Sequence, residues 1–191
     1  MIRINPELVA YAEQLVKKGV HDINEEEFGP NQRIMQQNHR YHRVYLIREG
    51  IAKCYISDEN GKDFIQEFLG EGMEFGELEV FNNKPTICSV ESITILKTFA
   101  FTHAGFNRLL ETDSHFNRLV MKSLADKIRY KAPRHSYQHG YPIGDNIIRL
   151  KQQFPEVTEV ISKKDIANYI GVTPRSLNRA LKELKEKSNR V

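Results

Sequence analysis

Arg175 and Arg179 lie one helical turn apart, with Ser176, Asn178 and Lys182 beside them. Guanidinium groups present a rigid fork of donors that fits guanine edges, and each good bidentate contact is worth about 1–3 kcal/mol of discrimination between bases. Ahead of them, Ser162, Lys163, Lys164 and Thr173 offer hydroxyl and ammonium groups that can hold phosphate oxygens and fix a register. The chemistry available to this set is recognition of double-stranded DNA. Catalysis finds less support. The sequence holds no His-x-His pair, and no Ser, Cys or Lys nucleophile stands beside an evident base.

These residues work only if short elements hold them. Ser162 predicts an N-cap, with Asp165 in the first turn where a negative charge suits the helix dipole. Ile166, Ala167 and Ile170 follow at helical spacing, and Gly171 predicts a left-handed stop. Thr173 then caps a second helix that has Pro174 at its first position. Leu177, Ala180, Leu181 and Leu184 form its apolar stripe, which puts Arg175, Ser176, Asn178, Arg179 and Lys182 on the other side. Two helices joined by a tight turn, the second carrying the readers, make a helix-turn-helix. From Ile161 onward there are eight Lys or Arg against three Asp or Glu, so a basic tail follows a mildly acidic body. That asymmetry suits a module that contacts phosphates.

Upstream, the pattern reads as strands from about Phe28 to Phe101. Arg43–Arg48 and Ile51–Ser57 flank a Glu49-Gly50 turn, and Asn60-Gly61 closes a second hairpin onto Phe64–Leu69. Ile87–Ile93 and Ile95–Phe101 complete a run that predicts a β-sandwich or jelly-roll barrel. Asn5, Pro6, Leu8, Ala12, Leu15 and Gly19 describe a short N-terminal amphipathic helix. Phe106, Leu109 and Leu110 belong to another short helix. Phe116, Leu119, Val120, Ser123, Leu124 and Ile128 then recur at helical spacing. That long helix could cap the barrel, and it would also suit dimerisation, because helix-turn-helix proteins usually read two half-sites. Pro133–Pro142 is expected to break it as a hinge, with one more helix from Ile143 to Phe154. No apolar run is long enough for a transmembrane helix, and no signal-peptide core is present. Cys54 and Cys88 are too few and too isolated for a disulfide framework, so a reducing cytoplasm is the expected setting.

Barrel, glycine-flanked loop, long helix and C-terminal helix-turn-helix, in this order, resemble the bacterial CRP/FNR family of cyclic AMP receptor protein and the fumarate–nitrate reduction regulator. The residues that carry the resemblance are Phe75-Gly76-Glu77-Leu78 and Ile161-Ser162-Lys163-Lys164-Asp165-Ile166-Ala167 through Gly171-Val172-Thr173. The resemblance implies an α+β fold class: a cyclic-nucleotide-binding-like sensor domain over 1–112, a long dimerisation helix over 113–136 and a helix-turn-helix domain over 137–191. It implies a sequence-specific transcription regulator and not an enzyme, working as a homodimer on a palindromic site. An activator of this kind would also meet RNA polymerase. Arg179 matches a family reader directly, whereas Pro174 and Arg175 replace the family's usual Arg-Glu or Glu-rich readers, so the half-site is not transferable. Past the recognition helix the resemblance leads to an expected two-stranded wing, which the sequence up to Val191 does not include.

The resemblance also implies a pocket. Glu77 would accept from a ribose hydroxyl, and the Gly76-Glu77-Leu78 backbone would approach a phosphate. An arginine about eleven residues past the glycine would then neutralise that phosphate. Ile87 stands there, followed by Cys88 and Ser89, with no arginine between Arg48 and Arg108. A charge-assisted pair is worth roughly 1.5–3 kcal/mol. Its loss, with Glu79 nearby and Lys84 only a partial substitute, argues against cyclic AMP. The candidate pocket residues are therefore Gly76, Glu77, Leu78, Ile87 and Cys88, with a different effector or none. On residue type alone, Phe75, Leu78, Val80 and Phe81 read as barrel core and Glu77 as a turn residue. No cofactor or metal is expected. Two cysteines cannot ligate an iron–sulfur cluster alone, and haem on Cys88 or a His is not favoured. The pairs His39/His42 and His135/His139 read as surface residues rather than metal ligands. The rival class is a metal-dependent cupin-type jelly-roll enzyme, or a ligand-binding module without DNA.

Overall fold

The computed structural model describes residues 5–188. Helix α1 (Pro6–Lys17) opens the chain, its first turn capped by the Asn5 side chain, which accepts from Leu8 N at 3.3 Å. Eight strands follow in two antiparallel four-stranded sheets. One sheet orders β1 (Ile23–Phe28), β8 (Leu96–Thr102), β3 (Arg43–Glu49) and β6 (Glu74–Phe75). The other orders β2 (Arg33–Met35), β7 (Ser89–Ser92), β4 (Ala52–Ser57) and β5 (Asp63–Leu69). Inward residues from both sheets, among them Met35, Tyr45, Ile47, Leu69, Phe75 and Val90, form one sandwich core. The strand region begins at Ile23, earlier than the expected Phe28. β1 reads Ile-Asn-Glu-Glu-Glu-Phe, an edge strand whose carboxylates face water, so it lacks the apolar signal that marks the central strands.

Between β6 and β7 the chain makes the short helix α2 (Glu77–Asn82). After β8 come α3 (His103–Thr112) and the long α4 (Ser114–Gly140). Asp113 caps α4, its Oδ1 accepting from Phe116 N at 3.0 Å. The helix does not stop at Pro133 but runs through it to Gly140 and ends at Tyr141, in extended backbone ahead of Pro142. The predicted break is thus delayed to the far end of the Pro133–Pro142 segment, where a second proline disfavours helix in the residue before it. The apolar stripe of α4 also divides. Phe116, Leu119, Val120 and Ser123 are buried, and the first three pack with α1, α3 and β3. Ile128 instead is 71% exposed and Met121 58% exposed.

The C-terminal module comprises α5 (Ile143–Gln153), α6 (Val157–Val160), α7 (Lys163–Ile170) and α8 (Pro174–Ser188). Its core residues Ile147, Leu150, Val157, Ile166, Ile170 and Leu177 are continuous with Tyr55, Ile65 and Phe68 of the sandwich. The module is therefore docked on β4 and β5. Two polar ties reinforce the joint. Lys53 Nζ on β4 lies 3.0 Å from Glu91 and 3.2 Å from Asp165 of α7. Arg134 of α4 donates to the carbonyls of Ile65 (2.6 Å), Gln66 and Tyr169 (2.8 Å), with its guanidinium over the Tyr169 ring.

Candidate functional site

The two ends of the molecule carry the candidate chemistry. In the sandwich, Gly76, Glu77, Leu78, Ile87 and Cys88 all line one cavity of about 80 Å³, together with Cys54, Glu67, Glu74, Glu79, Lys127 and Lys131. Gly76 has φ +89°, and a Cβ there would come within 2.5 Å of the Arg43 carbonyl oxygen. The glycine thus serves a close backbone approach between the loop and β3. Glu77 is not a turn residue: it opens α2 and is 3% exposed. Phe75 is buried as expected, but Leu78 and Phe81 face outward at 44% and 47% exposure. On this short helix the buried side chains are Glu77 and Glu79, although they are two positions apart, and Leu78 and Phe81 are left outside.

What meets those carboxylates comes from α4. Lys127 Nζ lies 2.6 Å from Glu77 Oε1 and 2.9 Å from Glu74 Oε1, and it donates to the Glu74 carbonyl at 2.7 Å. Ser123, one turn earlier, donates to Glu74 Oε2 at 2.7 Å. Glu74 is 2% exposed and Lys127 9%. Burial works against the Lys127 charge, but the Glu74 and Glu77 carboxylates outweigh it and hold the ammonium above the ordinary lysine pKa. One turn further on, Lys131 Nζ pairs with buried Glu67 at 3.2 Å. Sequence reasoning missed this cluster. The available signal was Lys127 itself, which falls four residues past Ser123 and seven past Val120, on the buried stripe of α4 where a charge demands a partner.

The cavity is small, and its charges largely pair within the chain. Pockets for small ligands commonly hold about 300–1,000 Å³, against about 80 Å³ with Lys127 in place. Four carboxylates and two ammonium groups line the space, and exposed Ile87 supplies no cation for a phosphodiester. A larger cavity of about 550 Å³ lies elsewhere, between α4, α5 and α7, lined by Arg129, Tyr130, Arg134, Arg149 and Tyr169.

At the other end, the helix pair forms with its caps in place. Ser162 Oγ accepts from Asp165 N at 3.0 Å and donates to Asp165 Oδ2 at 2.8 Å. Gly171 takes φ +80° and its N–H returns to the Ala167 carbonyl, ending α7. Thr173 Oγ1 accepts from Ser176 N at 3.1 Å, and the two hydroxyls lie 3.0 Å apart. The hydroxyls of Ser162, Thr173 and Ser176 therefore first serve the backbone turn. Leu177 and Ala180 are buried, whereas Arg175, Asn178, Arg179 and Lys182 are on the outward side of α8, and Lys163 and Lys164 are exposed at the start of α7. Among the described residues, Arg179 and Lys182 meet only distant i+4 carboxylates, at 3.8 Å from Glu183 and 3.9 Å from Glu186. Such exposed pairs are weak, so both cations can turn to another anion.

The His39/His42 pair does not assemble as a pair. His42 packs edge-on against His103, while His39 Nδ1 meets the Gln37 carbonyl. The side chains of His135 and His139 lie outside the described residues. Among the described residues no group of three His, Cys, Asp or Glu side chains is placed to hold a metal ion. No described helix is long and apolar enough to cross a membrane.

Residues 25–113 match the cyclic nucleotide-binding domain family. Over 88 residues the chain is 28% identical to a cAMP-dependent protein kinase regulatory subunit of Colletotrichum orbiculare; the match takes in 46% of this chain and spans only 22% of that protein. Among solved structures, it is similar to CLP, the c-di-GMP-responsive global regulator of Xanthomonas campestris (TM-score 0.77, 12% identity), over 92% of this chain and 93% of that one. It is also similar to a transcriptional regulator of the CRP/FNR family from Thermus thermophilus (TM-score 0.71, 15% identity), over 86% and 87% of the two chains. The chain thus carries a cyclic-nucleotide-binding-type sandwich within the fold of a CRP/FNR regulator.

Proposed function

We propose that this chain, with its CRP/FNR-type fold, is a sequence-specific DNA-binding transcription regulator that acts as a homodimer and does not take cyclic AMP as its effector. The observation that carries the reading is the face of α8. Its apolar stripe is used up inside the module, while Arg175, Asn178, Arg179 and Lys182 stand on the opposite side. Arg175 and Arg179 read base edges in the major groove. Lys163, Lys164 and the first turns of α7 and α8 meet phosphates and make binding salt-dependent.

The homodimer reading rests on α4. Met121, Ala125, Ile128 and Ala132 are exposed and recur at i, i+4, i+7 and i+11, the seam of a two-helix pairing. Ile128→Glu is expected to convert a dimer to a monomer in light scattering, without loss of helix content, because the side chain points away from the core of its own chain. A variant that stays dimeric overturns this seam.

The effector reading rests on the acidic, self-filled sandwich cavity. Lys127 supplies from within the chain a cation that bridges α4 to Glu74 and Glu77. Selection of sites from random duplexes, with and without cyclic AMP, tests the whole proposal. A palindromic site enriched equally in both arms is expected. No enrichment overturns the DNA reading, and enrichment only with cyclic AMP overturns the effector reading.

A further inference from the structure

The chain contains two cysteines, 34 positions apart, and the fold brings them to one cavity. Cys54 lies on β4 and Cys88 immediately precedes β7, its neighbour in the sheet. The register pairs Cys54 with Val90, so Cys88, two residues before Val90, falls on the same face and on the diagonal. Both thiols are free, and both are half-buried. We propose that Cys54 and Cys88 form a reversible thiol–disulfide centre, in the cavity where this fold would otherwise receive a nucleotide, that is oxidised by a peroxide-class molecule.

The surroundings assign unequal roles to the two sulfurs. The neighbouring Cys54 thiol lowers the Cys88 pKa below the ordinary thiol value, and the Lys131 ammonium works in the same direction. Burial and the Glu79 and Glu67 carboxylates oppose that shift. The Cys88 side chain, together with burial, pushes Cys54 up. Cys88 is therefore the attacking thiolate and Cys54 the resolving thiol. In the first step the Cys88 sulfur bonds to one peroxide oxygen, the O–O bond breaks, and the departing hydroxide takes a proton to become water. In the second step the Cys54 sulfur attacks the Cys88 sulfenic acid, the S–S bond forms, and the S–O bond breaks. The hydroxide lost there leaves as water with the Cys54 proton. Two thiols give up two electrons and two protons, and hydrogen peroxide becomes two waters.

The diagonal of an antiparallel pair spans about 7–8 Å between Cα atoms, wider than the usual disulfide range of about 4.4–6.8 Å. Closing the bond draws the loop ahead of β7 toward β4, so the disulfide is strained and readily reduced. The site is one residue from Lys53, whose Nζ bridges Glu91 on β7 and Asp165 on α7. Oxidation thus acts beside the contact that ties the sandwich to the helix pair.

The test uses the full chain, reduced and then treated with equimolar hydrogen peroxide. The expected product is a monomer-length chain lighter by two hydrogens, with both denatured-state thiols lost and then restored by dithiothreitol. Cys54→Ser is expected to gain a single oxygen at Cys88, trapped by dimedone, and Cys88→Ser to keep its remaining thiol at the same dose. Serine is near-isosteric, so circular dichroism checks that both variants fold. Two free thiols after treatment, chains linked to each other, or variants that react equally would each overturn the proposal. DNA binding enters none of these readouts, so the outcome is independent of the proposed function.

Discussion

Lys127→Met is expected to cost about 3–5 kcal/mol of folding stability at neutral pH, the range found when one partner of a buried ion pair is removed. Methionine nearly keeps the volume of the lysine stem, so the loss is electrostatic. Glu74 and Glu77 remain buried at 2% and 3% exposure, and only the Ser123 hydroxyl and backbone are left to meet them. Burial already holds Glu77 above the ordinary glutamate pKa, and without the Lys127 ammonium that shift grows. A group whose folded pKa is raised favours the fold below its unfolded value, about 4.3 for glutamate, and loses that contribution as pH rises through the folded value. The deficit of the variant should therefore shrink as pH falls from 8 to 5. Urea unfolding at the two pH values measures it. A deficit under about 1 kcal/mol, or one that grows on acidification, would mean that the clamp is not the buried charge pair described here.

The second large effect is on DNA. Arg179→Ala is expected to cut the preference for a selected operator over random duplex by about 1–3 kcal/mol per half-site. Residual salt-dependent binding through Lys163 and Lys164 should persist, because phosphate contacts do not depend on sequence. Arg179 is exposed and, among the described residues, has only the weak Glu183 pairing, so the fold should not change. Competition titrations with operator and random DNA read the ratio directly. A variant that retains the preference would remove Arg179 from the readers and leave Arg175 to explain it.

Much of this molecule is local and therefore legible. Ser162 as cap, Gly171 as left-handed stop and Thr173 before Pro174 act within a few residues, and the structure realises each of them. The central strands carry β-branched and aromatic runs and are readable for the same reason, whereas acidic β1 is not. Elsewhere an apolar residue is poor evidence of its own burial. Leu78, Phe81 and Ile128 are apolar but exposed, whereas the charged Glu77, Glu79 and Lys127 beside them are buried against the sandwich. Pro133 predicts a stop, yet α4 passes through it.

The sequence by itself determined the central strands and main helices, their order, the capped helix pair with its basic face, and the lack of an arginine at Ile87. Each follows from propensity, period or a missing charge, which neighbouring residues suffice to set. Only the tertiary structure decided what fills the sandwich cavity and which residues meet there. Lys127 reaches Glu77 across fifty positions of sequence, and Cys54 reaches Cys88 across 34. Such pairings depend on how strands register and how a long helix lies on a sheet. Those distances are fixed by packing, and no local pattern encodes them.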